Sequence, residues 1–312
     1  MGGGYWSSAT NAAVTGARIA SGATFGYHAR VRATGVYQAH EDLDPRRLNR
    51  AGQNVREARD NPDHPRSLPI VVGFDSTGSM GAVPRVVQTK LATLFGLLLD
   101  KGYATDPQIA IATYGDALCD QVPLQISQFE ADNRIDDNLD KLYLEGGGGG
   151  NDGETSQLLL YYLAHHTRTD SWEKRGKKGY AFLIADEKQI PIEPAEVARY
   201  IGDTQPLGRL SFQAIAADVA RTWNVKVLLI NNATAHYQGS QQFYEDLFGP
   251  DNVTIVQDPD MIAETIAAIV GFAEGRSLAT ITEDLTASAG REVARRVSDS
   301  LALRVPVGAG LR

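Results

Sequence analysis

LPIVVGFDSTGSMG, residues 68–81, joins an unbroken apolar run to a short polar turn. The run from Leu68 to Phe74 has no alternating polar position, as expected of a strand covered on both faces in a parallel sheet. The turn then places one carboxylate and two hydroxyls at every second residue: Asp75, Thr77 and Ser79. Alternate residues of a loop can face one point. Oxygen donors of this hard type suit Mg²⁺, or alternatively Mn²⁺ or Ca²⁺, rather than zinc. Because two of the three donors are neutral, such an ion stays electron-poor and seeks a further anion. The local alternative is that Asp, Ser and Thr here only cap a helix and close a turn.

Outward from this segment, β-branched runs alternate with amphipathic stretches. A helix is expected over 84–101, opened by Pro84, with Val86, Val87, Leu91, Leu94, Leu97 and Leu98 at helical spacing. Strands are expected at 108–114, 122–129, 180–185, 225–231 and 253–257. Helices are expected at 133–144, 154–167, 194–202, 208–223, 240–248 and 259–274. That alternation predicts an α/β fold: a doubly wound, mostly parallel sheet with helices on both faces. Ligands of such sheets bind beyond the carboxyl ends of the strands, at a switch point. The residues after Phe74, Tyr114 and Ala185 are therefore the place to look for chemistry.

Two more acids fall there. Asp186 ends the strand 180–185. Glu154 opens a helix directly after Gly146–Gly150, Asn151, Asp152 and Gly153, with Thr155 as an alternative donor beside it. Glycines there let backbone pass near an ion without a Cβ clash. Asp116, after the strand 108–114, is either a supporting acid or a turn residue.

Asp75-Ser76-Thr77-Gly78-Ser79 resembles the D-x-[ST]-x-S signature that opens the metal-ion-dependent adhesion site of von Willebrand factor type A domains. Glu154 (or Thr155) and Asp186 match the family's later ligand positions. Gly149–Glu154 looks like the variant of integrin β-type A domains, in which glutamate replaces threonine. The resemblance covers roughly residues 66–275. It implies a binding module rather than a catalyst. The metal would be held by Asp75, Thr77, Ser79, Glu154 and Asp186, with an open position for an Asp or Glu of a protein partner. Intracellular bacterial members often work with AAA+ ATPases of the MoxR type, so a bacterial or phage-encoded protein with such a partner is the expectation by analogy.

Residues 1–66 read as an N-terminal arm, docked by Tyr5, Trp6, Phe25 or Tyr27. Residues 67–276 read as the type A-like domain. Residues 277–312 read as a tail with one amphipathic helix through Val293, Val297 and Leu301. Apolar residues make up 43% and charged residues 22% of the 312, an ordinary globular mix. The net charge of −8 argues against nucleic acid as the main partner. The most apolar stretch, 91–99, is too short to span a membrane, and MGGGYWSSAT has neither a basic nor an apolar leader region. A cytoplasmic protein is expected, with homo-oligomers open.

Cys119 is the only cysteine, which excludes an intrachain disulfide and a cysteine zinc site, and it reads as a small buried residue. His165 and His166 point about 100° apart on a helix and make poor joint ligands. The basic run Lys174–Lys178 reads as a solvated turn. Several enzyme signatures are missing. A haloacid-dehalogenase-type phosphatase needs a second Asp where Thr77 stands. A P-loop needs Gly-Lys-[Ser/Thr] after the glycines, and G-x-S-x-G and G-x-G-x-x-G are both absent. Two rivals to the binding module stay open: an assembly protein that associates through its termini, and a metal-assisted phosphohydrolase using Asp75 and Asp186.

Overall fold

The structure is a computed structural model that describes residues 3–21, 25–146, 153–231 and 236–302. It opens with α1 (Ser8–Ser21), α2 (Gly26–Thr34) and β1 (Arg56–Ala58), followed by β2 (Leu68–Asp75), α3 (Val83–Thr89), α4 (Leu91–Phe95), β3 (Pro107–Tyr114) and β4 (Leu124–Ile126). Next come α5 (Arg134–Asp140), α6 (Gln157–His165), β5 (Thr167–Thr169), α7 (Asp170–Arg175), β6 (Gly179–Ala185), α8 (Pro194–Tyr200) and α9 (Phe212–Val219). The last elements are β7 (Trp223–Ile230), α10 (His236–Phe248), β8 (Val253–Val256), α11 (Ile262–Ala273), α12 (Leu278–Ala289) and α13 (Arg291–Ala302).

The fold is α/β. Six strands form one sheet in the order β4-β3-β2-β6-β7-β8. Every pairing is parallel except β3 with β4, so the sheet is mixed. From β2 the chain crosses first to β3 on one side and later to β6 on the other. The carboxyl end of β2 is thus the point where the winding reverses.

All eight residues of β2 are buried, and successive side chains feed two separate cores. Ile70, Val72 and Phe74 pack with Leu94 and Phe95 of α4, Ile266 of α11, Ile281 and Leu285 of α12, and Val297 of α13. Val71 packs on the opposite side with Leu158 to Leu163 of α6 and with Ile215 and Val219 of α9. Being apolar nearly all round, α6 is the central helix of that layer. Gly73 lets it approach: a Cβ there would stand 2.5 Å from Cδ2 of Leu159.

Several expectations need correction. The helix expected over 84–101 breaks at Lys90, whose ψ of 2° leaves the helical range, and ends in a wider turn over Gly96–Asp100. The strand expected over 122–129 is only Leu124–Ile126 and runs antiparallel; its regular ladder stops at Ser127, whose hydroxyl takes the Ile111 N–H at 3.0 Å in place of a backbone carbonyl. The tail holds two helices rather than one, broken at Gly290 with φ 89°. Ile281, Leu285, Ala294, Val297 and Leu301 all enter the same core as β2.

The arm is tied down as well. Trp6 stacks on Phe95 with centroids 4.2 Å apart, Phe25 joins the core, and Tyr27 packs beside Val31 and Tyr143. Tyr5 stays exposed beside His64. β1 pairs with β5, and the fully buried Arg56 donates to the carbonyls of Ile126, Arg47 and Asp44.

Candidate metal centre

Three loops leave the sheet side by side at its carboxyl edge. Asp75 lies opposite Tyr114 in the β2–β3 register, and Phe74 lies opposite Ile184 in β2–β6. The loops beginning at Asp75, Gly115 and Asp186 therefore surround one place.

Asp75 is 1% exposed. Its Oδ1 accepts the backbone N–H of Thr77 at 2.7 Å and its Oδ2 accepts the Thr77 hydroxyl at 2.8 Å. The local turn chemistry is thus present, but it uses two of the roughly four acceptor directions of a carboxylate. Ser79 lies in the turn Gly78–Met80, and its side chain falls outside the described residues. Residues 147–152, most of the glycine run, also fall outside them.

Glu154 enters from the other side of that run. It forms an isolated parallel bridge with Gln189: its N–H donates to Lys188 O and its carbonyl accepts from Ile190 N–H, both at 3.0 Å. Gly153 is required by this approach, since a Cβ there would lie 2.7 Å from the Lys188 carbonyl oxygen. Glu154 is buried, and its Oε2 has no hydrogen-bond partner among the described residues. Asp186 is buried at the end of β6.

Thr155 and Asp116 build the wall of the site. The Thr155 hydroxyl donates to Gly115 O at 2.6 Å and accepts from Ala117 N–H at 2.9 Å. Asp116 Oδ1 accepts from Leu118 N–H at 2.8 Å, and its own N–H donates to Asp120 Oδ2 at 2.7 Å. Tyr114 and Tyr244 donate to the carbonyls of Ile184 and Glu187, which fixes the end of β6.

The electrostatics are those of crowded acids. Burial, then the charges of Asp186 and Glu187, raise the Asp75 carboxyl above its ordinary range against the two bonds from Thr77. Burial, then Asp75, Asp120, Glu187 and Asp116, raise Glu154 in the same way. Glu145, just before the glycines, is pushed up to about 7 by burial and Asp120, against bonds from Val122 and Gln121. Asp120, Glu145 and Glu187 were not among the sequence candidates. The doublets Asp116/Asp120 and Asp186/Glu187 at two strand ends are the signal that could have found them.

The donors fit a hard divalent ion. Carboxylates and a hydroxyl line the site, a buried carboxylate oxygen lacks a donor, and each acid raises its neighbour's pKa where a cation would lower it. Among the described residues no three His, Cys, Asp or Glu side chains form a group that could hold a metal by themselves.

One further expectation changes. Cys119 is exposed, since it sits on the rim loop. His166 closes the end of α6 and is buried, its ring nitrogens 2.7 Å from Asn54 O and 2.8 Å from Asp203 Oδ2. The basic run closes α7 and turns at Gly176 with Lys174 and Lys177 exposed, while Arg175 and Lys174 also reach Asp60 and Lys177 reaches Glu274. Among the described residues no helix is long and apolar enough to cross a membrane.

No family model matches the chain. Recombination protein RecR of Rhodopseudomonas palustris (strain BisB5) is 30% identical over 144 residues, covering 41% of this chain and 69% of the relative. At that identity and share, the chain belongs over the matched stretch to the sequence family of this recombination protein. Two solved structures are similar in shape. The pilus adhesin SpaC from Lactobacillus rhamnosus GG, in its open conformation, has a TM-score of 0.44 at 12% identity over 70% of this chain and 30% of the adhesin. Proximal thread matrix protein 1 from the mussel byssus has a TM-score of 0.42 at 13% identity over 65% of this chain and 47% of that one. The chain thus spans less than half of either, and at these scores neither likeness bears on function.

Proposed function

We propose that the chain is a metal-dependent protein-binding module, built on a doubly wound sheet of the von Willebrand factor A type. Asp75, Thr77, Ser79, Glu154 and Asp186 would hold one Mg²⁺-class ion, with Mn²⁺ and Ca²⁺ as alternatives. When bound, the ion supplies an electron-poor position for an Asp or Glu of a partner. Asp75 holds the turn over 75–77 closed, Thr155 and Asp116 hold the rim loop, and Tyr114 holds the neighbouring strand end. The observation that carries the reading is the placing of buried, mutually repelling carboxyls where the sheet's winding reverses. By the same resemblance the partner is a cytoplasmic protein, with a MoxR-type AAA+ ATPase as the class to try first.

Calorimetric titration of chelator-treated protein with Mg²⁺, Mn²⁺ and Ca²⁺ tests this. One saturable site, lost in Asp75→Ala while the fold is retained, is expected. Absence of binding to all three ions overturns it. The sequence relationship to a recombination protein gives the second reading. DNA binding that ignores chelator would favour that reading, although an acidic edge without a cation repels phosphate.

A further inference from the structure

Several buried polar atoms on and around the Glu154–Gln189 bridge have no hydrogen-bond partner among the described residues. Both amide atoms of Gln157, both of Gln189 and Oε2 of Glu154 are buried and have no hydrogen-bond partner among the described residues. Gln157 is 0% and Gln189 3% exposed. Leaving a buried amide unpaired is costly, so these two point to polar guests. Gln189 is the Cα partner of Glu154 in their parallel bridge, and partners in a ladder carry their side chains on one face. Gln157 follows Glu154 by three residues, at the start of α6.

Resting on the metal-binding reading above, we infer that Gln189, supported by Gln157, is a positioning residue that accepts hydrogen bonds from water retained on the ion, and so selects Mg²⁺ over Ca²⁺. Water on a divalent cation is a strong donor, and an amide oxygen accepts it without adding another charge to an acid-crowded site. Mg²⁺ dehydrates reluctantly and keeps several waters, whereas Ca²⁺ takes more protein oxygens directly. A pocket that offers acceptors for water rather than further carboxylates therefore favours the smaller ion. Partners of this kind are worth roughly 10–100-fold in metal affinity.

The test uses the full chain as wild type, Gln189→Met, Gln189→Glu and Gln157→Met, titrated with Mg²⁺ and with Ca²⁺, beside metal-free thermal melts. Wild type is expected to bind Mg²⁺ more tightly than Ca²⁺. Gln189→Met is expected to lose about tenfold or more in Mg²⁺ affinity with Ca²⁺ affinity nearly unchanged. Gln157→Met is expected to shift in the same direction by less. Gln189→Glu, which keeps an acceptor oxygen, is expected to retain Mg²⁺ binding. The metal-free melting temperature of the methionine variants is expected to stay level or rise, since each removes two polar atoms that have no partner among the described residues. Unchanged Mg²⁺ affinity in Gln189→Met, or equal loss of both ions, overturns the inference while leaving the metal-binding module standing. A wild type that binds neither ion overturns both.

Discussion

Asp75 concentrates the physics of the site in one side chain. Burial and two acidic neighbours hold its proton on, so the folded protein carries protons at Asp75, Glu154 and Glu145 that the unfolded chain releases at ordinary carboxylate pH. A native state that binds more protons loses stability as pH rises. Metal-free protein is therefore expected to weaken from the ordinary carboxylate range up through about 7, where Glu145 titrates, and further as Asp75 and Glu154 ionise. Urea midpoints across that range would show it, and a flat or rising series would contradict it. Asp75→Asn keeps both contacts with Thr77: the amide oxygen still accepts the backbone N–H, and the amide N–H can donate to the hydroxyl. The variant should melt a few degrees higher than wild type at pH 8 without metal, show a shallower pH dependence, and bind no divalent ion. A lower melting temperature would mean that the Asp75 carboxylate itself supports the fold.

At the scale of elements, the arm shows why some of the structure could be read in the sequence and some could not. Strands β2, β3, β6, β7 and β8 declare themselves as apolar runs, and their order with the helices indicates where the site lies. Period and propensity carry no such signal for residues 1–66, because that segment is held by single long-range contacts. Asp60 receives Arg175 at 2.7 Å and the Ser67 hydroxyl at 2.8 Å. The Arg175 bond, with Ser67 and Lys174, holds the Asp60 carboxyl well below its ordinary range. For the same reason the pairing of Lys174 and Arg175 with Asp60, and the burial of His166 at the end of α6, cannot be read locally. Asp75 and Asp186 are legible because a strand end marks them. Gln189 is not, because only the bridge to Glu154 reveals it. Asp60→Ala is expected to cost on the order of 2 kcal/mol in urea unfolding, and to expose the segment 56–67 to protease first. The pair's stabilisation exists above the ordinary carboxylate range and is lost only as pH falls through the depressed value. The loss should therefore be as large at pH 8 as at pH 6, and a variant that unfolds like wild type would show that the pair is idle.

For the whole molecule, the question is what counts as one folding unit. A domain drawn at 67–276 from pattern alone would cut through a continuous core. Phe25 from the arm, Ile281 and Leu285 from α12, and Val297 and Leu301 from α13 pack in the layer that also buries Ile70, Val72 and Phe74. Removing α12 and α13 uncovers α11 and strips that layer of four large or medium apolar side chains, Ile281, Leu285, Val297 and Leu301, each worth roughly 1.5–3 kcal/mol when fully buried. Their sum approaches the whole net stability of an ordinary domain, about 5–15 kcal/mol. A chain truncated after residue 276 is therefore expected not to fold cooperatively: it should lack a sharp thermal transition and bind hydrophobic dye. The full chain should unfold in one step by both far-ultraviolet circular dichroism and tyrosine fluorescence. Two separated transitions in the full chain, or a sharp one in the truncated chain, would instead show that the terminal helices are an appendage. Those helices would then be free to serve self-association, the role that the assembly reading gives them. A single transition that Mg²⁺ moves upward would tie the site at one edge of the sheet to the packing of both its faces.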